Sequence, residues 1–128
     1  MRWTSGQLKH FQNSVVVKAK PKTQTNALTK YTLRVLDLKG FNAWRQNNGG
    51  VYDPKLQKFR KNSSTPGVSD IIGYHRKTGK FIACEIKFGE DDLSLDQERF
   101  LSGVERAGGI ALVIRTSEDL ESFMKLDL

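Results

Sequence analysis

The stretch from Gly67 to Lys87 constrains this chain more than any other: Gly67-Val68-Ser69-Asp70, an apolar run, a polar turn, a second apolar run and then Glu85-Ile86-Lys87. Two strand-like segments, Asp70 to His75 and Phe81 to Phe88, flank Arg76-Lys77-Thr78-Gly79-Lys80, whose composition is that of a hairpin turn. If the loop is even and centred on Thr78-Gly79, Asp70 stands opposite Lys87 and Ile72 opposite Glu85. Cross-strand partners share a face of the sheet, as do residues two apart on one strand, so Asp70, Glu85 and Lys87 then project together. An odd loop scatters them. Two carboxylates held that close repel each other unless a cation lies between them, so the geometry predicts a site for a hard divalent ion with an ammonium beside it.

These residues resemble a known family. Asp, a following strand and Glu-x-Lys make the signature of the PD-(D/E)xK nucleases. Gly67-Val68-Ser69-Asp70 with Glu85-Ile86-Lys87 and the later Gln97 is similar to the VRR-NUC branch, which is related to Holliday-junction resolvases. The resemblance runs from Leu28 to Leu120. It implies an α/β fold, a restriction-endonuclease-like mixed β-sheet flanked by helices. It also implies a divalent-metal-dependent DNA endonuclease, selective for branched or junction DNA in replication, recombination or repair. On this reading Asp70, Glu85 and the backbone carbonyl of Ile86 bind Mg2+, with Mn2+ as a substitute, and Lys87 steadies the charge on the phosphate and positions the water. Gln97 orients a water or contacts the nucleic-acid backbone, and Arg45 and Ser69 are counted among the nucleic-acid contacts. In the family the first helix commonly opens with a metal-binding glutamate, yet Gln24 to Ala27 contain no carboxylate here. Either Asn26 or Gln24 serves through a carbonyl oxygen, or the role is absent, and the number of metal ions stays open.

The charge distribution agrees with a nucleic-acid partner. Net charge is +7; up to Pro66, 13 Lys/Arg stand against 2 Asp/Glu, and from Gly67 onward 8 stand against 12. A basic half suits phosphates and an acidic half suits metal chemistry. With 38% hydrophobic residues the 128-residue chain can bury one modest core. No apolar run reaches the length of a membrane span and the N-terminus lacks the apolar core of a secretory signal, so a soluble intracellular protein is expected. The single cysteine, Cys84, cannot form an internal disulfide and reads as a buried thiol. His10 and His75 lack the spacing of zinc ligands, and no glycine-rich loop suggests a nucleotide cofactor.

In chain order, residues 1–24 read as a basic N-terminal arm and residues 25–128 as one nuclease domain. The arm is either a solvated tail or a short edge strand through Val15-Val16-Val17; Trp3 and Phe11 are expected to pack onto the domain. Leu28, Tyr31 and Val35 form one stripe of a helix over Asn26 to Lys39, with Thr25 or Asn26 as N-cap and Gly40 as stop. Phe41 to Arg45 follows as a strand with Phe41, Ala43 and Arg45 on one face and Asn42 and Trp44 on the other. The segment Val51 to Pro66 reads as a loop carrying Lys55, Lys58, Arg60 and Lys61 around Tyr52, Leu56 and Phe59, an arrangement suited to contacting DNA phosphates.

Past the hairpin, Gly89-Glu90-Asp91-Asp92 reads as an acidic approach to a helix. Ser94-x-x-Gln97 is a capping box, and Leu95, Arg99, Phe100, Leu101, Val104 and Ala107 supply that helix's packing face. Ile110 to Ile114 suits a buried strand, and Ser117 can cap a last helix with Leu120, Phe123, Met124 and Leu126. Those four residues either close the core or form the interface of a homodimer, the arrangement expected of junction-resolving enzymes. Two readings from other classes stand beside the nuclease. One is a DNA-binding module of the same fold whose site has decayed, which the missing first-helix acid favours; the other is a recruitment module that uses only the basic surface.

Overall fold

The computed structural model describes residues 21–46, 51–60 and 65–127. A four-stranded sheet in the order β1-β4-β5-β6 is built from β1 (Phe41–Arg45), β4 (Ile71–His75), β5 (Phe81–Ile86) and β6 (Ile110–Ile114). A separate two-stranded ribbon joins β2 (Val51–Asp53) to β3 (Lys58–Arg60). The helices are α1 (Pro21–Leu38), α2 (Leu95–Arg106) and α3 (Ser117–Met124). β1 and β5 run antiparallel to β4, while β6 is parallel to β5. A parallel neighbour requires a crossover, which α2 provides. This is the expected mixed sheet flanked by helices, consistent with a restriction-endonuclease-like α/β fold.

The two faces of the sheet are covered unequally. On one, Leu28, Tyr31, Val35 and Leu36 of α1 and Leu120 and Phe123 of α3 pack on Phe41, Ile71, Ile82, Cys84, Ile86 and Ile114. Cys84 is a fully buried thiol in this core, as expected. On the other face, Leu101 and Val104 of α2 pack on Ala83 with Ile72, Ala111 and Val113 around them. Covered on both sides, β5 is buried from Ile82 through Ile86. Helix α2 does not reach the β1 side of its face, where Trp44 and Tyr74 remain exposed. Gly73 permits the close approach of β1 and β4, since a Cβ there would lie 2.2 Å from the Asn42 carbonyl oxygen.

Several expectations need correction. Helix α1 begins at Pro21, before the N-cap expected at Thr25 or Asn26. Proline is suited to a first helical position, where its missing N–H would have had no partner. Residues 1–20, with Trp3 and Phe11, lie outside the described residues, as does Lys61. The segment expected as a loop contains the β2–β3 hairpin, turned by Asp53, whose Oδ1 accepts from the backbone N–H of Lys55 at 2.9 Å, and by Gln57 at φ 52°. Helix α3 is preceded by Thr116, not capped by Ser117; Asp119 Oδ2 accepts from the backbone N–H groups of Arg115 and Thr116. Of the four apolar residues that could close the core or form a homodimer interface, Leu120 and Phe123 are buried in the core, Met124 packs partly against it and Leu126 is exposed, so the helix serves mainly to close the core.

The hairpin register also differs from the expected one. Ile71 pairs with Cys84 and Ile72 with Ala83, and the His75 N–H donates to the Lys80 carbonyl at 2.9 Å. The connection is therefore even but centred on Lys77-Thr78, with Gly79 (φ 73°) as its last residue instead of at its centre. Glycine takes that left-handed position without a Cβ penalty. The shift of two residues brings Glu85, in place of Lys87, opposite Asp70, and it preserves which side chains share a face.

Candidate active site

Asp70 immediately precedes β4 and Glu85 lies near the end of β5, so the register places them side by side on the α2 face. Asp70 is anchored across the strands: its Oδ2 accepts from the Ile86 N–H at 2.9 Å. Lys87 follows β5 on the same face parity, and its N–H donates to the Ile114 carbonyl at 3.0 Å, which continues the ladder with β6. The Ile86 side chain is buried in the α1 core, so only its backbone carbonyl is left to serve a ligand.

Glu85 is 2% exposed. Its Oε1 accepts from Gln97 Nε2 at 3.0 Å, whereas Oε2 is buried without a hydrogen-bond partner. Burial, then the charge of the adjacent Asp70 carboxylate, push the Glu85 carboxyl up to about 8, and Lys87 pulls the other way without offsetting them. A buried carboxylate oxygen without a donor is costly unless it is protonated or meets a cation.

Gln97 fills the capping role expected of it and also reaches the carboxylates. Its Oε1 accepts from the Ser94 N–H at 2.8 Å and its own N–H donates to Ser94 Oγ at 3.1 Å, completing the capping box. That cap fixes the amide so that Nε2 faces Glu85. In this structure its partner is therefore a carboxylate of the pair. Gly67 positions the same corner: at φ 73° it lies so close to α2 that a Cβ would come within 2.2 Å of the Asp96 carbonyl oxygen. The sequence marked Gly67 only as the start of a motif, and no local signal announced this packing. Ser69 is buried beside Asp70 in the same loop.

The other expected contacts are dispersed. Arg45 Nη2 donates to Asn26 Oδ1 at 3.1 Å, so the amide oxygen considered as a replacement for the missing helix carboxylate is engaged by an arginine. Lys55 and Lys58 are exposed on the β2–β3 hairpin, and Arg60 lies in β3. The acidic run after β5 folds against Arg115, whose Nη1 donates to the Asp91 carbonyl at 2.6 Å. Among the described residues no cluster of three or more His, Cys, Asp or Glu is placed to hold a metal, so the carboxylates come as a pair. Among the same residues no helix is long and apolar enough to cross a membrane.

A family model described as the VRR-NUC domain matches residues 7–118. A search of curated proteins found no match.

Proposed function

This chain belongs to the VRR-NUC family, a nuclease family, and from that membership together with its carboxylate pair we propose that it is a divalent-metal-dependent DNA endonuclease. The observation that carries the metal dependence is Glu85: a buried carboxylate with one oxygen lacking a donor, directly beside a second carboxylate. Asp70, Glu85 and the carbonyl of Ile86 are hard oxygen donors of the kind that Mg2+ and Mn2+ take. When bound, the cation supplies the positive charge that stabilises the crowded phosphate as water attacks.

The protein's own groups then have separate tasks. The Ile86 N–H and the Gln97 amide orient Asp70 and Glu85 through one oxygen each. Lys87 places an ammonium beside them, which steadies negative charge on the phosphate; this suits a strongly basic side chain better than proton abstraction does. The exposed Lys55 and Lys58 of the β2–β3 hairpin, with Arg60 and Lys61 near them in sequence, contact phosphates away from the reacting one. Branched or otherwise distorted DNA is the preferred substrate.

A nicking assay with and without Mg2+ tests the reading. Asp70→Asn and Glu85→Gln should each abolish metal-dependent cleavage while leaving DNA affinity unchanged or slightly raised, because a carboxylate that repels phosphate is gone. Lys87→Ala should cut the rate and leave the fold intact. Near wild-type cleavage by both carboxylate variants would remove the assignment, and DNA binding without any cleavage by the wild type would favour the decayed binding module.

A further inference from the structure

Three rows of side chains cross the sheet on the face that carries the carboxylates. Asp70 and Glu85 form the first; the strand registers make Trp44, Ile72 and Ala83 the second and Asn42, Tyr74 and Phe81 the third. Same-face rows lie about 7 Å apart along a strand, so Trp44 stands one row from the carboxylates and Tyr74 two. Helix α2 closes the Ala83 end of this face but leaves the β1 side open, with Trp44 47% and Tyr74 43% exposed.

The open rings are held in place. Trp44 and Tyr74 meet edge to face with centroids 6.5 Å apart, and Asn42 Nδ2 donates to the Tyr74 hydroxyl at 3.0 Å. Rings braced in this way lose little freedom when something stacks on them. Beside Trp44, the groove between α1 and β1 is lined by Lys30 and Arg34, while its acid, Asp37, is paired with Arg76 at 3.0 Å.

We propose that this shelf takes the unpaired bases of a single-stranded stretch of DNA, stacked on Trp44 and Tyr74, with Lys30 and Arg34 alongside its phosphates. The inference rests on the nuclease reading and narrows it, because it names the substrate element that leads into the carboxylate pair. Exposed aromatic faces next to cations are what a single strand uses, whereas paired bases stack on each other and present no face. Continuity with Asp70 and Glu85 on the same face favours the substrate strand over a second copy of this chain.

The test is binding of a short fluorescein-labelled oligothymidine, and of a hairpin duplex, to the full chain in EDTA, with Mg2+-dependent cleavage measured on the same samples. Trp44→Ala should weaken oligothymidine binding about tenfold or more, Tyr74→Ala should weaken it less, and Trp44→Phe should retain most of it. Duplex affinity should stay within about twofold of the wild type, since only stacking on unpaired bases is removed. Because Trp44→Ala also removes packing, a second measurement uses Trp3→Phe, in which Trp44 is the remaining tryptophan; its fluorescence should be quenched by oligothymidine. Unquenched Trp44 fluorescence, unchanged oligothymidine affinity of a folded Trp44→Ala protein, or an equal loss on duplex would overturn the shelf. So would a change from dimer to monomer in light scattering with unaltered affinity. Cleavage by the wild type alongside any of these leaves the nuclease standing without the shelf, and Trp44-dependent binding without cleavage does the reverse.

Discussion

Removing the charge of Glu85 should stabilise the metal-free protein and flatten its response to pH. The folded chain holds the Glu85 carboxyl up to about 8 against an ordinary 4.5, so between those values the native state keeps a proton that the unfolded chain has released. Stability must then fall as pH rises through that window and level off above the folded value. Each pH unit lowers it by about 1.4 kcal/mol, so moving from pH 5 to pH 7 removes about 3 kcal/mol. For a chain of this size that corresponds to a drop in Tm on the order of 10 °C. Glu85→Gln keeps an oxygen that can accept from Gln97 Nε2 and discards the charge, so its Tm in EDTA should change far less over the same range. At pH 7 it should exceed that of the wild type. On the proposed metal reading, added Mg2+ should reverse the order, because an ion held by the ionised pair would stabilise the wild type increasingly with pH while the glutamine variant would gain little. Thermal melts of both proteins in EDTA and in Mg2+ from pH 5 to pH 8 supply the comparison. Parallel wild-type and Glu85→Gln curves in EDTA would refute the reasoning, since histidines and surface carboxylates are common to both proteins.

Gly67→Ala should cost about 2–4 kcal/mol and depress cleavage, because a left-handed backbone and a Cβ pressed on the Asp96 carbonyl must both be relieved; a variant with wild-type Tm and rate would mean that the loop does not hold the site. Gln97→Ala removes one arm of the α2 capping box and the donor to Glu85, and should lower stability by about 1–2 kcal/mol together with the cleavage rate, read by denaturant unfolding and nicking. Replacing Lys55 and Lys58 with alanine should lower the slope of log affinity against log salt on duplex DNA by about 0.9 for each phosphate no longer neutralised. An unchanged slope would move the phosphate surface away from the hairpin.

Much of the architecture was legible because it is periodic or punctuated. The stripe Leu28, Tyr31 and Val35, the strand Phe41 to Arg45, the Ser94–Gln97 cap and the apolar run Ile110 to Ile114, half-buried except for its buried last residue, each specify their element with residues close in sequence. The grouping of an aspartate before one strand with Glu-x-Lys at the end of the next was readable on the condition of an even turn, since parity then decides which side chains share a face, and the structure supplies that even turn. Where Asp70 stands along its partner was not: the register depends on which residue of the turn takes the left-handed backbone, and that residue is Gly79 at the end of the turn. The fates of α3 and Gln97 also had to come from tertiary structure. Leu120 and Phe123 satisfy a helical pattern equally well in a core or at an interface, and only the position of α1 across the sheet turned them inward. Gln97 reaches Glu85 because Gly67 lets its loop press against α2, an approach between segments far apart in sequence. Local chemistry thus determined which elements form and which groups they carry. The depth of burial that shifts Glu85, and the open rings of Trp44 and Tyr74, arise only where α2 covers one half of the sheet and leaves the other uncovered.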